Sequence, residues 1–212
     1  MLKLNKKNKG SIILLLLGIL IFFYPFISKF LYQKNLTYTI DNYIEKVNDM
    51  DDSEINKHKD VIKKYNEMLL EEKKIDLLKT GEILGYIQIE KIHVYLPIYE
   101  GTDEKTLHKG IGHLEKSSLP SNNYAYHSVF VGHTGISLKE FFDDLPNLKI
   151  GDEFVVTILN DSFKYKIYEI KKVLPSQTND LKIQENCKLV TLVTCTPKFV
   201  NSHRLLVMGR LI

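Results

Sequence analysis

The sequence predicts an all-β domain, a barrel or a sandwich, that follows an N-terminal membrane helix and an amphipathic helical stretch. After Gly81 the 212-residue chain shows short alternating apolar runs separated by turn signals. Before Gly81 the apolar residues form one long run and then recur at helical spacing. We therefore expect three regions: a cytoplasmic tail and membrane anchor in residues 1–32, a helical spacer in 33–80 and the β domain in 81–212.

The N-terminal region has the pattern of an uncleaved membrane anchor. Four lysines within the first nine residues precede an apolar run from Ile12 to Ile27. A transmembrane helix needs about 17 to 25 mostly apolar residues, and basic residues favour the cytoplasmic side. A cleaved signal peptide would show small residues after its apolar core, whereas this run ends in Tyr24-Pro25-Phe26-Ile27. We expect a single-pass anchor in the cell membrane, with the remaining chain outside the cell.

The spacer in residues 33–80 is predicted to form one or two amphipathic helices. Its apolar residues recur at helical spacing in two groups, from Ile40 to Val47 and from Val61 to Leu69. The polar stretch from Asn48 to Asp60 is either a break between two helices or a solvated helix face. The only role expected for this region is to separate the β domain from the membrane.

The β domain contains seven strand candidates and two candidate short helices. Many short strands with turn signals between them are typical of an all-β barrel or sandwich. The strand candidates are Ile83–Glu90, Val94–Tyr99, Ser128–Gly132, Glu153–Leu159, Phe163–Val173, Leu189–Cys195 and Arg204–Met208. The helix candidates are Asp103–Lys109 and Leu138–Leu145.

Composition excludes several classes of function. The 29 basic and 26 acidic residues are spread along the chain, so no basic stripe marks a nucleic-acid-binding face. Cys187 and Cys195 are too few for a disulfide framework, and the chain lacks the paired C-x-x-C or H-E-x-x-H patterns of zinc sites. We therefore predict no structural metal. We also expect no bridge between the two cysteines, and we interpret Cys187 as a small, half-buried residue.

Cys195 lies at the end of a predicted strand, where a rigid scaffold can present a nucleophile. Pro197 stops the strand two residues later. Arg204 begins the next strand candidate, so a short loop between antiparallel neighbours would bring the two side chains together. Arginine stays protonated, so it can favour the thiolate and donate hydrogen bonds to a developing oxyanion.

His133 is the candidate acid and base. It ends the apolar strand candidate Ser128–Gly132, and Gly132 and Gly135 would let the backbone turn sharply around it. Histidine titrates near neutrality and can protonate a leaving amine. Taken singly, each residue has a plainer interpretation: Cys195 as core filler, His133 as a loop residue and Arg204 as a partner of a surface carboxylate.

Three separated blocks of sequence contain the candidate residues. They are Val131-Gly132-His133-Thr134-Gly135, Thr191-Leu192-Val193-Thr194-Cys195-Thr196-Pro197 and Asn201-Ser202-His203-Arg204-Leu205-Leu206-Val207. In this order they resemble the sortases, the cell-wall and pilus transpeptidases of Gram-positive bacteria. The resemblance extends from about Gly85 to Ile212.

This resemblance implies an eight-stranded β-barrel of sortase type and a set of roles for its residues. Cys195 would be the nucleophile, His133 the general acid and base, and Arg204 the group that positions substrate and oxyanion. Thr194 and Thr196 are expected to contact the substrate. The reaction would cut an LPxTG-like signal of a surface or pilin protein and pass the thioacyl group to an amine, either a pilin lysine or a cell-wall precursor, without metal or organic cofactor.

Within the family, three stretches look most like class C, the pilin polymerases, although the chain departs from the pattern of that class. These stretches are Leu114–Pro120, Phe142–Asp152 and Asn201-Ser202-His203-Arg204. The chain contains no Asp-Pro pair, whereas class C enzymes commonly carry an Asp-Pro-aromatic lid. We therefore expect an open cleft at Cys195, because the segment Glu71–Glu82 is too short to cover it. Lys198-Phe199 also replaces the Tyr-Gly pair of the class C pattern, which bears on the shape of the loop before Arg204.

Two other functions stay open for the same residues. A cysteine peptidase would release the acyl group to water through the same thioacyl intermediate. A non-catalytic scaffold domain on the cell surface would use Cys195 and Arg204 for packing.

Overall fold

The structure, a computed structural model, describes residues 6–71, 79–122, 125–135, 141–184 and 187–212, with side chains from residue 10 onwards. Two helices, α1 (Lys6–Asn48) and α2 (Asp52–Leu70), precede a closed barrel of eight strands. The strands are β1 (Ile83–Ile89), β2 (Val94–Glu100), β3 (Ile111–His113), β4 (Tyr126–Val131), β5 (Glu153–Ile158), β6 (Asp161–Val173), β7 (Lys188–Thr196) and β8 (His203–Leu211). A short helix, α3 (Glu104–Leu107), lies between β2 and β3.

The strands close in the order β1-β2-β3-β4-β7-β8-β6-β5, with β5 pairing back onto β1. The β2–β3 and β4–β7 pairs are parallel and the others are antiparallel. The eight-stranded barrel implied by the resemblance is therefore confirmed, and of the two architectures open from patterning it is the barrel that forms. All seven strand candidates are strands, and β3 was missed because its three residues show no measurable alternation.

The two predicted short helices have different outcomes. The candidate Asp103–Lys109 contains α3, whose side-chain cap Asp103 accepts hydrogen bonds from the backbone N–H groups of Lys105 and Thr106. The candidate Leu138–Leu145 falls partly on residues 136–140, which lie outside the described residues. Of its remainder, only Leu145 is helical, at the start of a single 3₁₀ turn, Leu145–Asn147.

Alternation along the strands gives the barrel a filled interior and a second apolar cluster on its outer face. Tyr126 and Tyr165 are fully buried inside, and their hydroxyls lie 2.6 Å apart. The outer cluster joins three adjacent strands, β4, β7 and β8, through Val129, Val193, Leu206 and Met208. The candidate catalytic residues lie next to this outer cluster.

Helix α1 has an exposed apolar part and a part that packs on the barrel. One helix among the described residues, Gly10–Asn48, is long and apolar enough to cross a membrane. The 43 residues of α1 span about 64 Å, roughly twice a hydrocarbon core, and the helix continues without a break through the predicted boundary at residue 32. Apolar side chains from Ile12 to Leu31 are exposed, whereas Leu36, Ile40, Tyr43 and Val47 are buried.

Hydrogen bonds fix both helices to the barrel. The Tyr43 hydroxyl donates to the Leu84 carbonyl at 2.7 Å and accepts from the Leu159 N–H at 2.8 Å. Burial raises the pKa of Tyr43 to about 12, so this hydroxyl keeps its proton at neutral pH. The buried Asn66 side chain of α2 donates to the carbonyl of Leu119 and accepts from its N–H, each at 2.9 Å. The stretch predicted as a spacer is thus also part of the folded unit.

The break between the helices is shorter than the polar stretch predicted for it. Helix α2 begins at Asp52, and the Asp51 carboxylate caps it by accepting from the Glu54 N–H at 2.8 Å. Most of the polar stretch from Asn48 to Asp60 is therefore a solvated helix face. The region limits 1–32, 33–80 and 81–212 remain predictions.

Candidate active site

Cys195 and Arg204 form a directly opposed pair on the antiparallel strands β7 and β8. The next pair, Thr196 and His203, is the last of the ladder, so both side chains lie at the same end of the sheet. Because opposed residues share a face, Cys195 and Arg204 project from the face that carries Val193 and the outer cluster. Both are half-buried, and Cys195 is a free thiol.

His133 reaches the same place from a remote part of the sequence through the parallel pairing of β4 with β7. The last paired residues are Val131 and Val193, and beyond them the Gly132 N–H donates to the Val193 carbonyl at 3.0 Å. The Thr194 hydroxyl donates to the Gly132 carbonyl at 2.7 Å. This register, continued by two residues, brings His133 level with Cys195. The three predicted catalytic residues therefore come from the ends of three adjacent strands.

The loop between β7 and β8 is a tight turn that sets the position of Arg204. Phe199 and Asn201 have left-handed backbone angles, φ 70° and 59°, and the Asn201 N–H donates to the Pro197 carbonyl at 2.9 Å. Nη1 of Arg204 donates to the carbonyls of Asn201 and His203, each at 3.2 Å. The guanidinium is thus held by its own loop, beside the strand end that carries Cys195.

The Asp143 carboxylate connects the loop after His133 to the loop after Cys195. Its Oδ1 accepts from the Thr134 hydroxyl at 2.8 Å and from the Gly135 N–H at 2.6 Å, and its Oδ2 accepts from Lys198 Nζ at 2.8 Å. Partial burial raises the pKa of Asp143, but the hydrogen bonds from Lys198, Gly135 and Thr134 outweigh it and hold the pKa below its usual value. We call these four residues the Asp143 clasp.

Two glycines beside His133 are required for different reasons. Gly135 has φ +80°, so it makes the sharp turn that the sequence predicted. Gly132 is instead required by close packing, because a Cβ at this position would lie 2.6 Å from Cδ2 of Phe142. Both glycines let the chain pass closely around the histidine.

The His133 side chain faces α3 on the other side of the site. Its Nε2 lies 3.6 Å from Oε1 of Glu104, and its ring centre lies 5.7 Å from that of His108. Nε2 of His108 lies 3.0 Å from the same Glu104 oxygen. Sequence reasoning assigned no role to Glu104 or His108. Their four-residue separation in a predicted helix was the one available signal, since it puts both on one face.

Comparison with known proteins identifies the family to which this arrangement belongs. Residues 87–212, more than half of the chain, match the family model described as the sortase domain. The chain belongs to the sortase family.

Sortases of known structure include strong matches to this chain. The sortase C of Clostridium perfringens, solved with the C-terminal cell wall sorting motif, is 40% identical at a TM-score of 0.79, with 83% of this chain and 98% of that chain covered. The sortase C of Streptococcus pneumoniae is 34% identical at a TM-score of 0.75, with 82% and 96% covered. The predicted likeness to class C sortases is therefore confirmed.

Curated sortases match over a shorter region. Sortase D of Bacillus subtilis is 33% identical over 119 residues, which are 56% of this chain and 57% of that protein. Sortase A of Streptococcus agalactiae is 34% identical over 118 residues, 54% of this chain and 47% of that protein. The chain thus spans about half the length of the curated relatives it matches.

Within this sortase, the departure from the class C pattern at Lys198-Phe199 has a structural counterpart. Lys198 provides the cation of the Asp143 clasp, and Phe199 is 77% exposed at the loop tip. Asp143 lies in a segment that carried the family resemblance, but no role was predicted for it. Its contacts join loops from three parts of the chain, which local sequence patterns do not reveal.

The two residues predicted to contact the substrate, Thr194 and Thr196, are buried. Thr194 is 1% exposed and joins β7 to the chain after β4, and Thr196 is 7% exposed. Their assignment to substrate binding stays a prediction.

Three other histidines and Cys187 lie outside this arrangement. His113 and His127 are fully buried and hydrogen-bonded, so both have structural roles. His203 precedes Arg204 in β8 and points to the opposite face, because successive side chains of a strand alternate. Cys187 is half-buried and free.

Proposed function

We propose that this chain is a membrane-anchored cysteine transpeptidase that uses Cys195, His133 and Arg204. The observation that carries the proposal is their convergence at the ends of β7, β4 and β8 in a domain of the sortase family. A thiol, an imidazole and a guanidinium at one place are the nucleophile, the acid and base, and the oxyanion donor that acyl transfer requires. The proposal therefore favours catalysis over a packing role for these residues.

In the first half-reaction, the Cys195 thiolate attacks the scissile carbonyl carbon and forms a tetrahedral intermediate. The Arg204 guanidinium donates hydrogen bonds to the resulting oxyanion, a contribution of about 3 to 4 kcal/mol where one such donor has been removed from an enzyme. The His133 imidazolium gives its proton to the leaving nitrogen as the carbon–nitrogen bond breaks. The products are a thioester on Cys195, a free amine and neutral His133.

In the second half-reaction, the acceptor amine replaces the one that left. Its nitrogen attacks the thioester carbonyl, and neutral His133 removes a proton from it. The carbon–sulfur bond breaks, which restores the Cys195 thiolate and the His133 imidazolium. The net reaction exchanges one amide bond for another, so it requires neither a cofactor nor an external energy source.

We infer an LPxTG-like sorting signal of a surface or pilin protein as the donor. The sortase C of C. perfringens was solved with a cell wall sorting motif, and that of S. pneumoniae has been described for its pilin substrate specificity. The acceptor is a pilin lysine or a cell-wall precursor amine. Both are large extracellular partners, and the exposed loop tip at Phe199 suits access from outside.

We infer a single-pass topology with the barrel outside the cell. The basic N-terminal end of α1 precedes its exposed apolar part, and Leu36 is buried in the barrel core cluster only a few residues beyond Leu31. The barrel would therefore lie close to the membrane surface. A protease added to intact cells should digest the barrel and leave the N-terminal tail protected, whereas protection of the barrel would reverse the topology.

Mass spectrometry of the reaction products tests the activity. The full chain in detergent is incubated with an LPxTG-like peptide, with and without a small amine. A thioester on Cys195 and a ligated product that depends on the amine are expected, and both should be absent in Cys195→Ala. Release of the acyl group only to water would support the peptidase alternative, and absence of any thioester would contradict the proposal.

A further inference from the structure

Three side chains of types that bind metal ions converge between α3 and the end of β4. Glu104 and His108 come from α3 and the residue that ends it, and His133 follows β4. One oxygen of Glu104 lies 3.0 Å from Nε2 of His108 and 3.6 Å from Nε2 of His133. The three donor atoms all lie within 4.8 Å of one another.

The donor set and its spacing fit zinc. Two imidazoles and one carboxylate are the protein ligands of several zinc sites, with metal–ligand distances of about 2.0 to 2.2 Å. At those distances, two ligand atoms at adjacent corners of a tetrahedron are about 3.3 Å apart. The distances from Oε1 of Glu104 to Nε2 of His108 and to Nε2 of His133 lie on either side of that value. The side chains of Glu104 and His108 are 68% and 45% exposed, so a metal from solvent can reach them and a water can take the fourth position.

The backbone that carries these ligands is fixed before any metal arrives. Asp103 caps α3, and Thr106 and Leu107 anchor the helix by burial. On the other side, the His133 carbonyl accepts a hydrogen bond from the Phe142 N–H at 3.1 Å. Binding therefore requires small side-chain rotations and no rearrangement of the fold.

We propose that Glu104, His108 and His133 bind one divalent transition metal, zinc in the first instance, and that the bound metal inhibits the enzyme. Zinc on Nε2 of His133 occupies the lone pair through which the imidazole would accept and return a proton. Binding follows from the geometry alone, whereas inhibition rests on the proposed function of His133. The metal is an inhibitor in this proposal, so the expectation that folding and chemistry need no metal is unaffected.

Binding is tested separately from activity. The full chain in detergent is titrated with zinc by calorimetry and with cobalt by visible absorption. It carries Cys187→Ser and Cys195→Ser, which remove both thiols, and it has no histidine tag. One metal per chain and a tetrahedral cobalt spectrum are expected. His108→Gln should weaken binding by about 100-fold or more, because it removes a direct ligand.

His58→Gln is the matched control, since His58 is an exposed histidine on α2. It should leave zinc affinity unchanged. Equal affinities of the His108→Gln and His58→Gln proteins would overturn the site. A thermal unfolding curve for each variant without metal separates loss of the ligand from loss of the fold.

Inhibition is then measured on the chain with both cysteines present. The rate of each variant with zinc is compared with the rate of the same variant in the presence of a chelator. The zinc concentration for half-inhibition should rise at least about tenfold in His108→Gln and stay unchanged in His58→Gln. Equal inhibition of both variants would place the inhibitory metal elsewhere, such as on the Cys195 thiol, and would overturn this part of the proposal. Lack of turnover in chelator would contradict the proposed function and leave the calorimetric result standing.

Discussion

Cys195 and Arg204 face each other across β7 and β8, one residue pair before the ladder ends at Thr196 and His203. Directly opposed residues have Cβ atoms about 4.5 to 5.5 Å apart, so a substrate carbonyl bound to the sulfur comes within reach of the guanidinium. The position of Arg204 is set by backbone pairing and by its bonds to the loop carbonyls.

Replacement of the three proposed catalytic residues should separate their roles. We expect Cys195→Ala and His133→Ala to abolish the thioester, and Arg204→Lys to leave a remnant about 100-fold to 1,000-fold slower, because lysine lacks the planar donor fork. Mass spectrometry of peptide reactions measures each rate. Arg210→Lys, at an exposed position on the same strand, is the control and should react normally. Near-normal turnover of any of the three would contradict the mechanism.

The Asp143 clasp should matter for catalysis and little for global stability. Asp143→Ala removes all three hydrogen bonds and should lower kcat by about tenfold or more, since small displacements of catalytic groups reduce rates strongly. Lys198→Met removes the ion pair with Asp143 but keeps the hydrogen bonds from Thr134 and Gly135, so it should have a smaller effect.

Peptide kinetics and thermal unfolding together test the clasp. Lys164→Met, which breaks the exposed ion pair with Glu153, is the matched control and should leave kcat unchanged. If Asp143→Ala lowered the unfolding temperature strongly but not kcat at a temperature where it is folded, the clasp would be a purely structural feature.

Residues of α1 should stabilise the barrel. Ile40→Ala removes a fully buried side chain and should lower the free energy of unfolding by about 2 to 5 kcal/mol. Tyr43→Phe leaves the Leu84 carbonyl and Leu159 N–H without their partner and should cost about 1 to 3 kcal/mol. Denaturant unfolding of the full chain in detergent measures both. Tyr38→Phe, at a 63% exposed position, should cost nothing measurable, and equal values for Tyr38→Phe and Tyr43→Phe would refute the packing role.

The open-cleft hypothesis predicts that no segment before the barrel shields Cys195. The segment Glu71–Glu82, which we expect to be too short for a lid, falls largely on residues 72–78, which lie outside the described residues. Removal of everything before Thr80 would be a poor test, because it also removes the buried side chains of α1 and α2. Replacement of residues 72–78 by a glycine-serine segment of equal length tests the hypothesis without that loss.

The rate of Cys195 alkylation and the cleavage of a short LPxTG-like peptide should be similar before and after this replacement. A lid that is closed most of the time lowers apparent affinity by its closed fraction, so its loss would raise both rates many-fold. Such a gain would mean that these residues do act as a lid. Alkylation of Cys187 in the same samples controls for general loosening of the fold.

The sequence by itself determined the long apolar N-terminal helix, the β domain with seven of its eight strands, and the three proposed catalytic residues. These features depend on short stretches of sequence, because hydrophobic runs indicate helices and strands. A proline after a β-branched run likewise marks the end of a strand. The family resemblance predicted the barrel, because hydrophobic periodicity alone does not distinguish a barrel from a sandwich. The three-residue strand β3 was too short to show alternation.

Only the tertiary structure decided which distant residues meet. His133 comes level with Cys195 because β4 and β7 pair in parallel, a long-range pairing with no local signature. The Asp143 clasp and the cluster of Glu104, His108 and His133 likewise join segments whose proximity follows from barrel closure. The docking of α1 was not predicted for the same reason: an amphipathic pattern indicates that one helix face is buried, whereas the surface that covers it is set by the rest of the fold.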